Sequence, residues 1–401
     1  ESPGTCATNS ETLNFDFQVA YCVGTAPATA WIGEDVVLMI EGETPDDRDA
    51  EIMQQALEMF DDVINQFEYF TGLTDLPLAS SYQGKPVIEI VIDNCGAGGL
   101  ANHGTLGMST GTFFFDQFYE NLQNENLAIP QVFFYELNRN FWLPEFNDKF
   151  DWAMNDELDN WGWWTVGMNN AQSVIIPLSL GIEMDYFGND LTYFRNRMVG
   201  ELESYIADPQ YDFDFGWRQA LMPWNDTESI NDMMSGLFIY SYENFGGEDW
   251  LREFYTQIKS DVYTDRTDVF AYQECRDNIY IIWSISADED LISFFENDLR
   301  WIITSEAKTF IEDHFFVESG IDELATHESA SIYPNPIIDG IMHVNLPVNL
   351  QGKALSIFSI DGKKELFLID GVEKNEISVR DLSPGMYILQ IADQQIKFVV
   401  Q

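Results

Sequence analysis

The 401-residue sequence predicts an α+β body with a helix-rich C-terminal half, followed by a small all-β sandwich domain. Three observations carry this. Short apolar runs alternate with one strongly striped helix over the first 130 residues. Helical periodicity dominates 165–310. From Ser331 onward the pattern changes to short alternating strands separated by turn residues. The boundaries this implies are a body at 1–315, a polar linker at 316–330 and a sandwich at 331–401.

Taken in order, residues 1–30 show little periodicity and read as an irregular lead. The run Val36 to Ile40, closed by Glu41 and Gly42, reads as a strand. Thr44-Pro45-Asp46-Asp47 reads as a helix start, with a hydroxyl cap, proline in the first turn and acids beside the positive end of the dipole. Met53, Leu57, Phe60, Ile64 and Phe67 then form one apolar stripe, and Gly72 is placed to end that helix. Pro86 to Asp93 is a second strand. Residues 96–111 are rich in Gly, Ser, Thr and Asn; Gly96-Ala97-Gly98-Gly99 lacks the Lys-Ser/Thr of a phosphate-cradling loop. Phe113-Phe114-Phe115 reads as a sheet-edge strand. Further on, Asp226 to Ser229 opens a helix that Gly246-Gly247 interrupts, and Ser286-Ala287-Asp288-Glu289 fits a capping box.

Pro130 and Pro144 bracket a central helix with Val132, Phe133, Phe134, Leu137, Phe141 and Trp142 as its apolar wall. Tyr135 and Arg139, four apart, share a face, with Glu136 beside them. The plain alternative is an amphipathic core helix with a Glu–Arg pair. The layout also resembles the active-site helix of zincin metallopeptidases, His-Glu-x-x-His, with Tyr135 and Arg139 at the two His positions and only Glu136 matching. The order strand, long helix, strand, glycine-rich turn, edge strand, helix is similar to the N-terminal half of a zincin domain. Zinc takes imidazole, thiolate or carboxylate ligands, whereas a guanidinium stays charged and has no lone pair to donate. The resemblance therefore implies a zincin-like scaffold without zinc, Arg139 supplying the positive charge that Glu136 would otherwise find in the metal. If the chain were an enzyme, Glu136, Tyr135 and Arg139 would be its catalytic residues. A third zincin ligand would come from Glu145, Glu157, Glu183 or Asp185. The histidines, His103, His314, His327 and His343, lie away from this helix in sequence.

After the helix, oxygen ligands crowd together. Asp148, Asp151, Asp156 and Asp159 are candidate calcium ligands, although their spacing fits no EF-hand. Trp142, Trp152, Trp161, Trp163 and Trp164 cluster in the same region, as core or, if exposed, as a docking platform.

Charge is unevenly spread. The chain carries 19 basic and 68 acidic side chains; residues 329–401 hold 6 and 8 of these, leaving 13 and 60 before them. So acidic a body repels nucleic acid and anionic lipid, and suits high salt or divalent cations. There is no apolar run long enough to span a membrane, and no charged-then-apolar leader, so the expectation is that a signal peptide either has been removed or never existed. Of the four cysteines the expected pairs are Cys6–Cys22, which are close in sequence, and Cys95–Cys275.

The tail carries Tyr333-Pro334-Asn335-Pro336, a hairpin ending at Asp361-Gly362, the turn Ser383-Pro384-Gly385 before Tyr387, and a terminal strand with Lys397. These residues resemble the type A C-terminal sorting domain of the type IX secretion system. The resemblance implies export through the periplasm and outer membrane to the cell surface or beyond. It also implies recognition by the translocon and by the machinery that cleaves or anchors such tails. Three functions then compete for the body: a non-catalytic pseudo-metallopeptidase that binds an extracellular ligand or builds surface structure; an active hydrolase, either metallopeptidase-like or a glycosidase with paired carboxylates; and a calcium-dependent adhesin.

Overall fold

The computed structural model describes residues 9–143, 162–212, 227–260 and 271–320, and in the tail 331–333, 337, 341–345, 355–359, 364–368, 376–380, 382–391 and 394–400. The chain forms two compact units, Glu1–Asp313 and His314–Gln401.

The first unit is built on a seven-stranded mixed sheet. Its strands are β1 (Asn9–Asp16), β2 (Thr25–Ile32), β3 (Val37–Glu41), β4 (Ser81–Tyr82), β5 (Lys85–Val91), β6 (Gly99–Ala101) and β7 (Met108–Gly111). The order is β1-β2-β3-β5-β7-β6, with β4 on β5. Strands β3, β5 and β7 run parallel, and β1, β2 and β6 run antiparallel to their neighbours. From Asn9 on, the expected irregular lead is therefore a hairpin. Phe15, Ala28 and Ala30 turn inward onto Val37, Met39 and Val87, so small residues on one face hide an alternation that hydrophobicity alone does not reveal.

Helix α1 (Ala50–Thr71) crosses this sheet with its five predicted stripe residues buried. Its cap is Asp49, whose carboxylate accepts from the N–H groups of Glu51 and Ile52; Thr44 to Asp47 form a separate capped 3-10 turn just ahead of it. Gly72 ends α1 in the left-handed conformation, φ 64°, its N–H returning to Glu68 O. The Phe113–Phe115 run is not a strand. It opens helix α2 (Thr112–Gln123), because Phe115, Phe118, Tyr119 and Leu122 recur at helical spacing and all are buried. The edge strand is β6, inside the glycine-rich segment.

Strand β8 (Ala128–Pro130) leads directly into helix α3 (Gln131–Asn140). The Phe60 ring lies 5.4 Å from Phe118 and 5.0 Å from Phe133, and Phe67 stacks on Phe141 at 5.1 Å. Rings from α1, α2 and the central helix thus make one aromatic core. The helical half follows: α4 (Gly162–Leu180), strand β9 (Glu183–Asp185), α5 (Leu191–Ala207), α6 (Thr227–Asn244), α7 (Glu248–Lys259), α8 (Ala271–Ala287) and α9 (Ser305–Gly320). Trp283 anchors it, with Phe238, Phe254 and Trp250 within 5.0–5.6 Å. The capping box expected at Ser286 does not form, since Ser286 lies inside α8 and donates to Ile282 O. Instead Leu291 N–H is capped by Ser284 Oγ ahead of a π-helical turn, Phe294–Asp298.

The disulfide also departs from expectation. Cys22 bonds Cys95, and Cys275 is a buried thiol outside that bond; Cys6 lies outside the described residues. The loop carrying Cys22 is drawn to β5 by Glu89, a fully buried carboxylate that accepts from the N–H groups of Gln18, Val19 and Ala20. Helix α9 extends over residues 316–320, so the first part of the expected linker is helical.

The second unit holds two antiparallel sheets. One contains β10 (Ser331–Tyr333), β11 (Ile341–Asn345) and β14 (Glu376–Ser378). The other contains β12 (Leu355–Ser359), β13 (Lys364–Leu368), β15 (Gly385–Ile391) and β16 (Gln394–Val400). Met342, Val344 and Ile377 of the first share a core with Ile357, Leu389 and Phe398 of the second. Among the described residues no helix is long and apolar enough to cross a membrane.

Candidate functional site

Two chain features place the central helix. At its start, β8 pairs in parallel with β9, setting Pro130 opposite Asp185. At its end, Asn140 fastens the 102–107 loop. Its amide donates to Asn102 O and Gly107 O and accepts from Gly107 N–H, and its own carbonyl accepts from Gly104 N–H. Between these fixed points β6 passes so close that a Cβ on Gly99 would lie 2.4 Å from Glu136 Cγ and 2.8 Å from Val132 Cγ2. Only glycine allows that approach.

The result is a pocket of about 370 Å³, whose walls include Gly99, Phe114, Tyr135, Glu136, Asp185 and Phe187. Phe187 stands 68% exposed at its rim with φ 51°, a left-handed conformation that bulky residues seldom adopt. Glu136 is 4% exposed. Its Oε2 accepts from Arg139 Nη1 at 3.1 Å. Burial pushes the Glu136 carboxyl up to about 7, and the neighbouring Arg139 only partly opposes this. Burial likewise raises Tyr135 above the usual phenol range. Arg139 Nε is buried without a hydrogen-bond partner among the described residues.

His103 belongs to this neighbourhood, although it is 33 positions from Glu136 in sequence. Its ring lies 5.7 Å from that of Trp142, and burial together with the charge on Arg139 holds its pKa below the ordinary imidazole value. Nothing in the residues around His103 signals this; the Asn140 hydrogen bonds that carry the loop there are long-range.

Among the described residues, those of α3 do not form a zinc donor set. The two positions that hold ring ligands in the zincin pattern carry a phenol and a guanidinium, and the guanidinium is hydrogen-bonded to the glutamate between them. Of the candidate third ligands, Asp185 reaches the pocket, while Glu183 faces a separate cavity that Asp190 also lines. Glu145 and Glu157 lie outside the described residues, as do the candidate calcium ligands Asp148, Asp151, Asp156 and Asp159. Among the described residues no three His, Cys, Asp or Glu side chains are grouped to hold a metal ion. Trp142 is core; the side chains of Trp152, Trp161, Trp163 and Trp164 fall outside the description.

Of the sorting residues, Tyr333 ends β10, Pro384 is exposed in the turn before β15, and Gly385 begins that strand. Tyr387 packs on Phe398, and its hydroxyl donates to Ser383 O, closing the turn. Lys397 is exposed opposite Ile388. Pro334, Asn335, Pro336, Asp361 and Gly362 lie outside the described residues, as do His327 and residues 321–330 of the linker.

No curated protein matches the chain. Among solved structures it is similar to a functionally unknown conserved protein from Bacillus anthracis str. Ames, at 14% identity, covering 93% of this chain and 71% of that one, TM-score 0.48. It is also similar to the catalytic module of the metalloprotease ZmpA from Clostridium perfringens (10% identity, 92% and 67% covered, TM-score 0.44). A third similar structure is the M60 catalytic domain of Clostridium perfringens ZmpC in complex with the sialyl T antigen (12% identity, 92% and 69% covered, TM-score 0.42). Residues 331–401 match the family described as "Secretion system C-terminal sorting domain". That segment is a type IX sorting domain, and the chain is a cargo that its tail directs to the cell surface or the extracellular space.

Proposed function

We propose that the body is a non-catalytic binding module on a zincin-like scaffold, a pseudo-metallopeptidase carried outside the cell by a small β-sandwich tail. The tail engages the type IX translocon and its tail-processing or anchoring machinery; the body takes an extracellular ligand in the pocket beside α3. One observation carries this reading: Arg139 Nη1 sits 3.1 Å from Glu136 Oε2. A fixed cation already occupies one oxygen of the carboxylate that a zincin would use as its base, and it disfavours a dication beside it.

Elemental analysis of the purified chain tests this. Zinc well below one atom per chain is the expected result, with no cleavage of unstructured protein substrates after zinc is added. Zinc near one per chain, or peptide cleavage that is lost in Glu136→Gln, would overturn it. Calcium near one per chain would instead favour the adhesin reading on the Asp148 to Asp159 segment. Two observations favour the hydrolase alternative: a carboxyl pushed up to about 7 by burial suits general acid–base work near neutral pH, and Asp185 lines the same pocket as a second carboxylate.

A further inference from the structure

The pocket beside α3 has a chemical bias that the lost zinc pattern does not account for. The charged side chains among its described lining residues are acidic, Glu136 and Asp185, with no lysine, arginine or histidine beside them. Arg139 approaches Glu136 from outside the lining and occupies Oε2. Glu136 is 96% buried, yet its Oε1 accepts no hydrogen bond among the described residues. Asp185 Oδ1 accepts from Gly188 N–H at 2.9 Å, and Oδ2 has no partner among the described residues. Both of these oxygens can accept from a donor group brought into the pocket.

The walls are aromatic. Phe114 lies 6.2 Å from Phe187, Tyr186 lies 5.1 Å from Phe187, and Tyr135 closes the pocket beside Glu136. Ring faces attract cations and also pack well against methylene chains. An occupant with an apolar stem and a cationic, hydrogen-bond-donating head satisfies both features. The acidic body, with 60 acidic and 13 basic side chains before residue 329, draws such a group inward and repels anions.

We propose that this pocket binds the side chain of a lysine or arginine carried by an extracellular polypeptide, the stem against the rings of Phe114 and Phe187 and the head against Glu136 Oε1 and Asp185 Oδ2. The assignment rests on reading the body as a binding module and adds the chemistry of its ligand.

The test is calorimetric titration of the full chain with acetylated, amidated pentapeptides that differ only at a central lysine, norleucine or glutamate. The lysine peptide is expected to bind at least about tenfold more tightly than the norleucine peptide, and the glutamate peptide not at all. Added salt should weaken the lysine peptide selectively. Glu136→Gln and Asp185→Asn should each bring the lysine peptide close to the norleucine value; Asp185 is partly exposed, so its variant remains informative should Glu136→Gln fail to fold. Equal affinity for lysine and norleucine peptides, or no binding of either at millimolar concentration, overturns the proposal. If equal affinities are both abolished by Phe114→Ala, the cation preference is wrong but the binding module stands. Cleavage of the lysine peptide that is lost in Glu136→Gln, with lysine still preferred, leaves the cation preference standing and removes the non-catalytic reading.

Discussion

Glu136 concentrates the energetics of the site in one carboxyl. Its folded pKa, about 7, lies above its ordinary value of 4.5 because burial penalises the charged form more than Arg139 rewards it. The folded state therefore holds this proton more tightly than the unfolded chain does. The contribution to stability is complete below about 4.5 and is lost as pH rises through about 7. Replacing the carboxyl by an amide removes that dependence. Melting temperatures of wild type and Glu136→Gln, compared from pH 5 to 8, should show a wild-type decline that the variant lacks, worth on the order of 3 kcal/mol at its upper bound. Parallel profiles would mean that water reaches the carboxyl in the native state.

At the scale of elements, the contact between β6 and α3 sets the shape of the pocket. Gly99→Ala places a methyl 2.4 Å from Glu136 Cγ, so strand or helix must move. The expected loss is about 1–3 kcal/mol, read as a lower urea midpoint with an unchanged m-value. The same contact shows how far sequence reading reaches. Helix α1 is legible because its stripe is long, has one period and ends at Gly72. Tyr135 and Glu136, which the sequence singles out on α3, both line the pocket. The Phe113–Phe115 run misleads because three adjacent rings have no period of their own; only their continuation through Phe118 and Leu122 settles the helix. Strand β6 is hidden because Gly99-Leu100-Ala101 has no strand propensity to speak of, and its position follows from pairing with β7. Asp185 and His103 reach the site through a strand pair and a loop staple respectively, contacts between residues distant in the chain.

For the whole molecule, charge and address are divided between separate segments. The acidic load lies before residue 329, and the sorting domain is nearly balanced. Deleting 331–401 should leave a body that still melts cooperatively but accumulates in the periplasm, as fractionation and immunoblotting would show; continued appearance of that variant outside the cell would contradict the role of the tail. The Cys22–Cys95 link spans 73 positions and joins the turn after β1 to the segment beyond β5. It ties down the same turn whose Gln18, Val19 and Ala20 amides Glu89 holds. Such a bond closes in an oxidising compartment and not in the cytosol. A chain that its sorting tail carries out of the cell can therefore keep this staple where a cytosolic protein would lose it.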